Sequence, residues 1–135
     1  MRAEARQTLI TELQALLSAE FSDFDVFYEN GPGVDYGQQT RPFVEIVIDL
    51  QDSRPASLEA APMTRYLMDV VVACRLKRGE GTTRLDALLD RVSQTLKNRY
   101  LGTLLMQSPK PYRLGELNGW YGRAVRVPFT YDELA

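Results

Sequence analysis

Arg65-Tyr66-Leu67-Met68-Asp69-Val70-Val71-Val72-Ala73-Cys74-Arg75-Leu76 is the stretch on which the fold turns. It holds neither glycine nor proline and is dense in β-branched and aromatic residues, so it reads as a strand, and its length suits a central one. At a period of two, Tyr66, Met68, Val70, Val72, Cys74 and Leu76 share one face, and Arg65, Leu67, Asp69, Val71, Ala73 and Arg75 share the other. The first face is unbroken apolar and needs a cover. The remaining strand candidates are one-sided in the same way, so the cover must come from helices.

Working outward, Pro42 to Leu50 alternates in the same manner, with Val44, Ile46, Ile48 and Leu50 on a core face and Phe43, Glu45, Val47 and Asp49 on a half-wet one. A polar segment from Gln51 to Met63, marked by Arg54, Pro55 and Pro62, joins these two strands as a hairpin with a protruding tip. Upstream, Leu9, Ile10, Leu13, Leu16 and Leu17 recur at three and four between Ala3 and Ala19, the stripe of an amphipathic helix whose polar face mixes both charges. Phe24 to Tyr28 is a short aromatic strand, and Glu29 to Thr40 a long Gly/Pro loop without the order of a phosphate cradle.

Downstream, Lys77 to Gly81 is a turn, and Thr82 or Thr83 caps a second helix running to about Tyr100, with Thr83 and Asp86 as a weak capping box and Gly102 as its stop. Leu85, Leu88, Leu89, Val92 and Leu96 form its stripe. Thr103 to Gln107 is a short strand or an irregular cover; Tyr112 to Leu117 is a short strand. Asn118-Gly119 signals a hairpin into a last strand from Trp120 to Tyr131, in which Pro128 predicts an edge or unpaired position. The expected fold is a single α+β domain over 1-135, with an antiparallel-rich sheet of about four or five strands and two helices packed on one face.

Composition narrows the function. With 135 residues, 44% hydrophobic and 25% charged, the chain is long enough for a real core, and a net charge of -2 argues against a dedicated nucleic-acid binder. No basic-flanked apolar run suggests a signal peptide and no apolar stretch reaches the ~20 residues of a membrane span, so a soluble, intracellularly made protein without a membrane partner is expected. The single Cys74 excludes an intrachain disulfide and reads as a small buried hydrophobe in a reducing compartment. Histidine is absent, which removes the commonest general base and metal ligand together. No serine has a nucleophile context. Glu45, Asp49 and Asp69 could share a sheet face, but without a calcium-loop spacing or a histidine they make a poor metal site. No catalytic, cofactor or metal site is expected.

In its order of elements the chain resembles the tail terminator (tail completion) proteins of long-tailed bacteriophages and a looser prophage family of minor tail proteins. The resemblance lies in the N-terminal amphipathic helix, Val26-Phe27-Tyr28-Glu29-Asn30 closing the first strand, and Pro42-Phe43-Val44-Glu45-Ile46 after a Gly/Pro loop. It extends through the Met63 to Leu76 strand, the Gly-rich turn into the Arg84 to Arg99 helix, and the closing strand with Arg123, Val125, Val127 and Phe129. It implies a virion structural protein at the head-proximal end of the tail, assembled in the bacterial cytoplasm. Such proteins form a ring, six subunits in that family, that ends polymerisation of the tail tube protein and meets the head-tail connector or neck protein, with genomic DNA only as passing cargo. A mildly acidic chain suits a channel to which DNA must not stick.

A heterologous ring needs two different exposed patches per subunit. Loop placement, rather than any family motif, selects the candidate interface residues: Tyr36, Gln38 and Arg41 in and after the first loop, Arg54, Leu58, Met63 and Arg65 in and beside the arm, and Lys77 and Arg78 at the turn. Two other readings stay open. One is a different head-tail joining protein of the neck; the other is a small-molecule-binding or enzymatic α+β domain using the face with Glu45, Asp49 and Asp69.

Overall fold

The computed structural model describes residues 2–29, 31, 33–55, 63–77, 79 and 81–134. Its elements are α1 (Arg2–Glu20), β1 (Asp25–Tyr28), β2 (Phe43–Pro55), β3 (Met63–Lys77), α2 (Thr83–Leu96), β4 (Tyr100–Leu101), β5 (Leu104–Met106), β6 (Lys110–Leu117) and β7 (Trp120–Leu134). The class is α+β with two helices, as the sequence implies. Among the described residues the sheet has seven strands in the order β1-β2-β3-β7-β5-β4, with β6 also paired to β7, so the expected four or five is too few. The surplus comes from β4, a two-residue piece that no period can reveal, and β5, which settles the 103–107 segment as a short strand instead of an irregular cover.

β3 is central: it pairs antiparallel with β2 on one side and with β7 on the other. Register carries the core across all three strands. Val44, Cys74 and Arg123 form one row, Ile46, Val72 and Val125 the next, and Ile48, Val70 and Val127 the third. Onto this face fall Leu9, Leu13, Leu16 and Leu17 of α1 and Leu85, Leu88, Leu89, Val92 and Leu96 of α2, all in one buried cluster. At about 1.5–3 kcal/mol per buried branched aliphatic side chain, this layer holds the helices down. Ion pairs fix their ends: Arg91 to Glu20 at 2.7 Å joins the two helices, and Arg84 reaches Asp23 just past α1.

Several local expectations give way to tertiary structure. α2 stops at Leu96, ahead of Tyr100: Lys97 turns extended and Asn98 takes φ 45°, a left-handed conformation that asparagine tolerates. Gly102 instead serves the turn between β4 and β5. Thr82 is the N-cap but makes no side-chain cap bond, so the capping box does not form. β1 pairs parallel with β2, which requires the long 29–42 connection. Asn118 and Gly119 have φ 52° and 83°, the paired positive values of the tight turn that the dipeptide promises.

Pro128 lies inside the paired region, opposite Asp69 of β3. Its carbonyl accepts from the Gln107 amide at 2.9 Å, so this backbone unit faces away from β3, toward the gap where β5 ends and β6 begins. The missing donor therefore costs no β3–β7 bond. Pro111 is accommodated on β6, which has a strand neighbour on one side only.

Candidate functional site

The sequence-selected residues divide between the two ends of the sheet. Leu58 and Arg78 lie outside the described residues. Tyr36, Gln38, Arg41 and Lys77 gather where β2 begins and β3 ends; Arg54, Met63 and Arg65 lie where β2 ends and β3 begins. Thirteen residues of β2 at about 3.3 Å each separate the groups by roughly 40 Å along the strand.

The first end is built on aromatics. Phe43, expected on a half-wet face, is fully buried there, edge-on to Phe27 at 5.9 Å, Tyr36 at 5.8 Å and Trp120 at 5.0 Å. Trp120 donates its Nε1–H to the Tyr36 carbonyl at 3.4 Å, and Lys77 Nζ stands 5.7 Å over its ring. The 33–40 loop thus folds back over the sheet instead of standing free. An Asx turn sets its path, with the Gly37 amide donating to Asp35 Oδ1 at 3.1 Å. Gln39 and Arg41 tie it down through Asp25, at 2.8 and 3.1 Å, and Arg41 also donates to the Ser22 carbonyl at 2.6 Å. Gln38 remains exposed.

The second end is a three-stranded wing. Residues 49–55 of β2 are all exposed, and they run beside the start of β3, which is itself backed by β7 through the pair Met63 with Leu134. Arg65 grips Asp132 of β7 through two bonds of 2.8 and 3.1 Å, and Arg54 meets Asp52 at 3.3 Å. The hydrogen bond from Arg65 holds the Asp132 carboxyl below the usual range and pushes the Arg65 guanidinium further up. The arm inferred from the sequence as a hairpin is therefore stiffened by a third strand, and its tip, 56–62, lies outside the described residues.

Glu45, Asp49 and Asp69 share the sheet face away from the helices, but they do not assemble. Asp69 is buried and pairs with Arg126 at 3.6 Å, and among the described residues no group of three potential ligands could hold a metal ion. Cys74 is fully buried, its thiol pushed up to about 12 chiefly by desolvation and donating to the Arg123 carbonyl at 3.5 Å. At neutral pH it carries no thiolate and packs as a hydrophobe.

Trp120 and Arg75 lie outside the sequence-selected set. The signal for Trp120 in the sequence is its position directly after Asn118-Gly119, opening a strand. Arg75 carries no such signal. That side chain lies along the outer face and donates to the Gly115 carbonyl at 3.1 Å, and the absent side chain of Gly122 makes its room: a Cβ there would stand 3.0 Å from Arg75 Cγ.

No helix among the described residues is long and apolar enough to cross a membrane. The sequence matches no protein-family model and no curated protein. A solved structure resembles it over 97% of this chain and 95% of that one, with a TM-score of 0.66 at 10% identity, a likeness that shows the fold alone.

Proposed function

We propose that this chain is a non-enzymatic virion subunit that forms a ring on the end of a phage tail tube, stops its growth and presents a surface to the head-tail connector. The observation that supports this reading is the placement of its two candidate contact regions. One is an aromatic-anchored loop, the other a stiff exposed wing, and they sit at opposite ends of one sheet. A head-to-tail ring uses two unlike patches on each copy, and a rigid three-stranded span between them fixes the angle from one subunit to the next. Lys77, Gln38 and Arg41 at one end and Arg54 and Arg65 at the other offer polar rims around these regions.

The test is binding to assembled tail tubes that lack a cap. Purified protein should decorate tube ends in negative-stain images and halt further addition of tube subunits. Binding to portal or filled heads with no affinity for tube ends would instead assign it to the neck.

A further inference from the structure

We propose that the helix-free face of the sheet is a head-to-tail docking surface for a second copy of this chain, the acidic flank of one subunit meeting the aromatic and basic flank of the next. The inference rests on the ring reading above and names the face that would close it.

Register fixes who shares this face. Glu45, Val47 and Asp49 lie on it along β2, and Lys110 and Tyr112 along β6. Val47, Val71, Arg126 and Lys110 form a single row across four strands, so Lys110 stands level with the point midway between Glu45 and Asp49. Three inter-strand steps of about 4.8 Å put some 14 Å between the flanks, beyond the ~8 Å screening length at physiological salt. The two flanks do not neutralise each other within one subunit.

The charges are also arranged unfavourably for a subunit alone. Asp49 lies directly opposite Asp69, and Lys110 directly opposite Arg126, two like-charge neighbours of the kind that weakens a sheet. The inner pair is relieved by Asp69 with Arg126 at 3.6 Å. The outer members, Asp49 and Lys110, have no ion pair with any described residue. In a head-to-tail arrangement the copy on one side supplies the partner of Asp49 and the copy on the other side that of Lys110. Beside Lys110, Tyr112 is 43% exposed, and on the same face Tyr100 is 68% and Leu105 38% exposed, three of the five large apolar side chains left open among the described residues. Exposed tyrosine is a residue type enriched in interface cores, and a lysine beside it suits the polar rim.

The experiment compares wild type, Asp49→Lys, Lys110→Asp, the double variant, and an equimolar mixture of the two single variants by native mass spectrometry, with circular dichroism as a check on folding. Each single variant puts like charges across the contact and is expected to weaken association at least tenfold. The double variant restores opposite charges in every contact, and so does the mixture, whose unlike copies alternate; both are expected to regain assembly, and neither recovery can arise from refolding. Single variants that assemble as wild type does, or a double variant and mixture that both stay dissociated, overturn the docking face while leaving the ring reading standing. A wild-type chain that never self-associates overturns both.

Discussion

Trp120→Ala tests the anchor of the loop end. The side chain is 2% exposed, in contact with Phe43 and Tyr36 and beneath Lys77. Burying a Trp side chain removes on the order of 200 Å² from water. At about 25 cal/mol/Å² that is an upper bound near 5 kcal/mol. The edge-on pair with Phe43 adds about 1 kcal/mol. Tyr36 and the Lys77 stem can relax into the space and return part of this, for a net loss of about 4 kcal/mol, in the usual band for large-to-small core changes. With an unfolding entropy of about 2.1 cal/mol/K per residue, 135 residues give about 0.28 kcal/mol/K and a fall in Tm of roughly 14 °C. Calorimetry reads the fall, and hydrogen exchange should show amides 34–40 losing protection together. Trp120→Phe keeps an aromatic ring against Phe43 but loses the indole donor and part of the buried ring volume, and should cost about 1–2 kcal/mol. An alanine variant melting within 3 °C of wild type, with the loop still protected, would refute the burial of this face.

Cys74→Ser should lower stability by about 1–3 kcal/mol, since it places a hydroxyl where a thiol packs, without altering assembly, and the native thiol should resist labelling for as long as the protein stays folded. Rapid modification of the folded protein would contradict its burial. Asp23 and Asp132 are held below the usual carboxylate range by hydrogen bonds from Arg84 and Arg65. Their folded values lie below the unfolded ones, so their contribution is complete above about pH 4 and is lost as pH falls through the lower folded values. Both pairs are part-exposed, and each contributes under about 1 kcal/mol. Urea midpoints should therefore drop below pH 4, and Asp132→Asn should flatten part of that drop. Replacing residues 56–63 by Asn-Gly joins Pro55 to Thr64, which face each other in the ladder, through a two-residue turn. The product should fold with native circular dichroism but fail to form rings; wild-type mass in light scattering would remove the tip from the assembly.

What the sequence discloses and what it hides follow from the range of each interaction. Periods of two and 3.6 report burial against a whole layer, and so the faces of β3 and the stripes of α1 and α2 stand where their residues put them. Phe43 escapes that logic because it is covered on the second face by Tyr36 and Trp120, residues 7 and 77 positions away that only the fold brings near. Pro128 misleads for a related reason: its lost donor matters only if a neighbour needs it, and the gap between β5 and β6 is invisible without the register. The end of α2 turns on one residue, Asn98, accepting a left-handed backbone, a local event that no stripe announces. Of the candidate contact residues, loop placement located the two ends, but it could not show that Arg65 is already committed to Asp132 or that Tyr36 is a packing residue. The charge asymmetry of the helix-free face needed cross-strand pairing to become visible at all.

Native mass spectrometry of the purified chain across a range of concentrations, with and without tail tubes, addresses the ring most directly. The proposed ring predicts a closed oligomer of one discrete size that caps tube ends. A chain that remains monomeric at every concentration, tubes present or not, would contradict it.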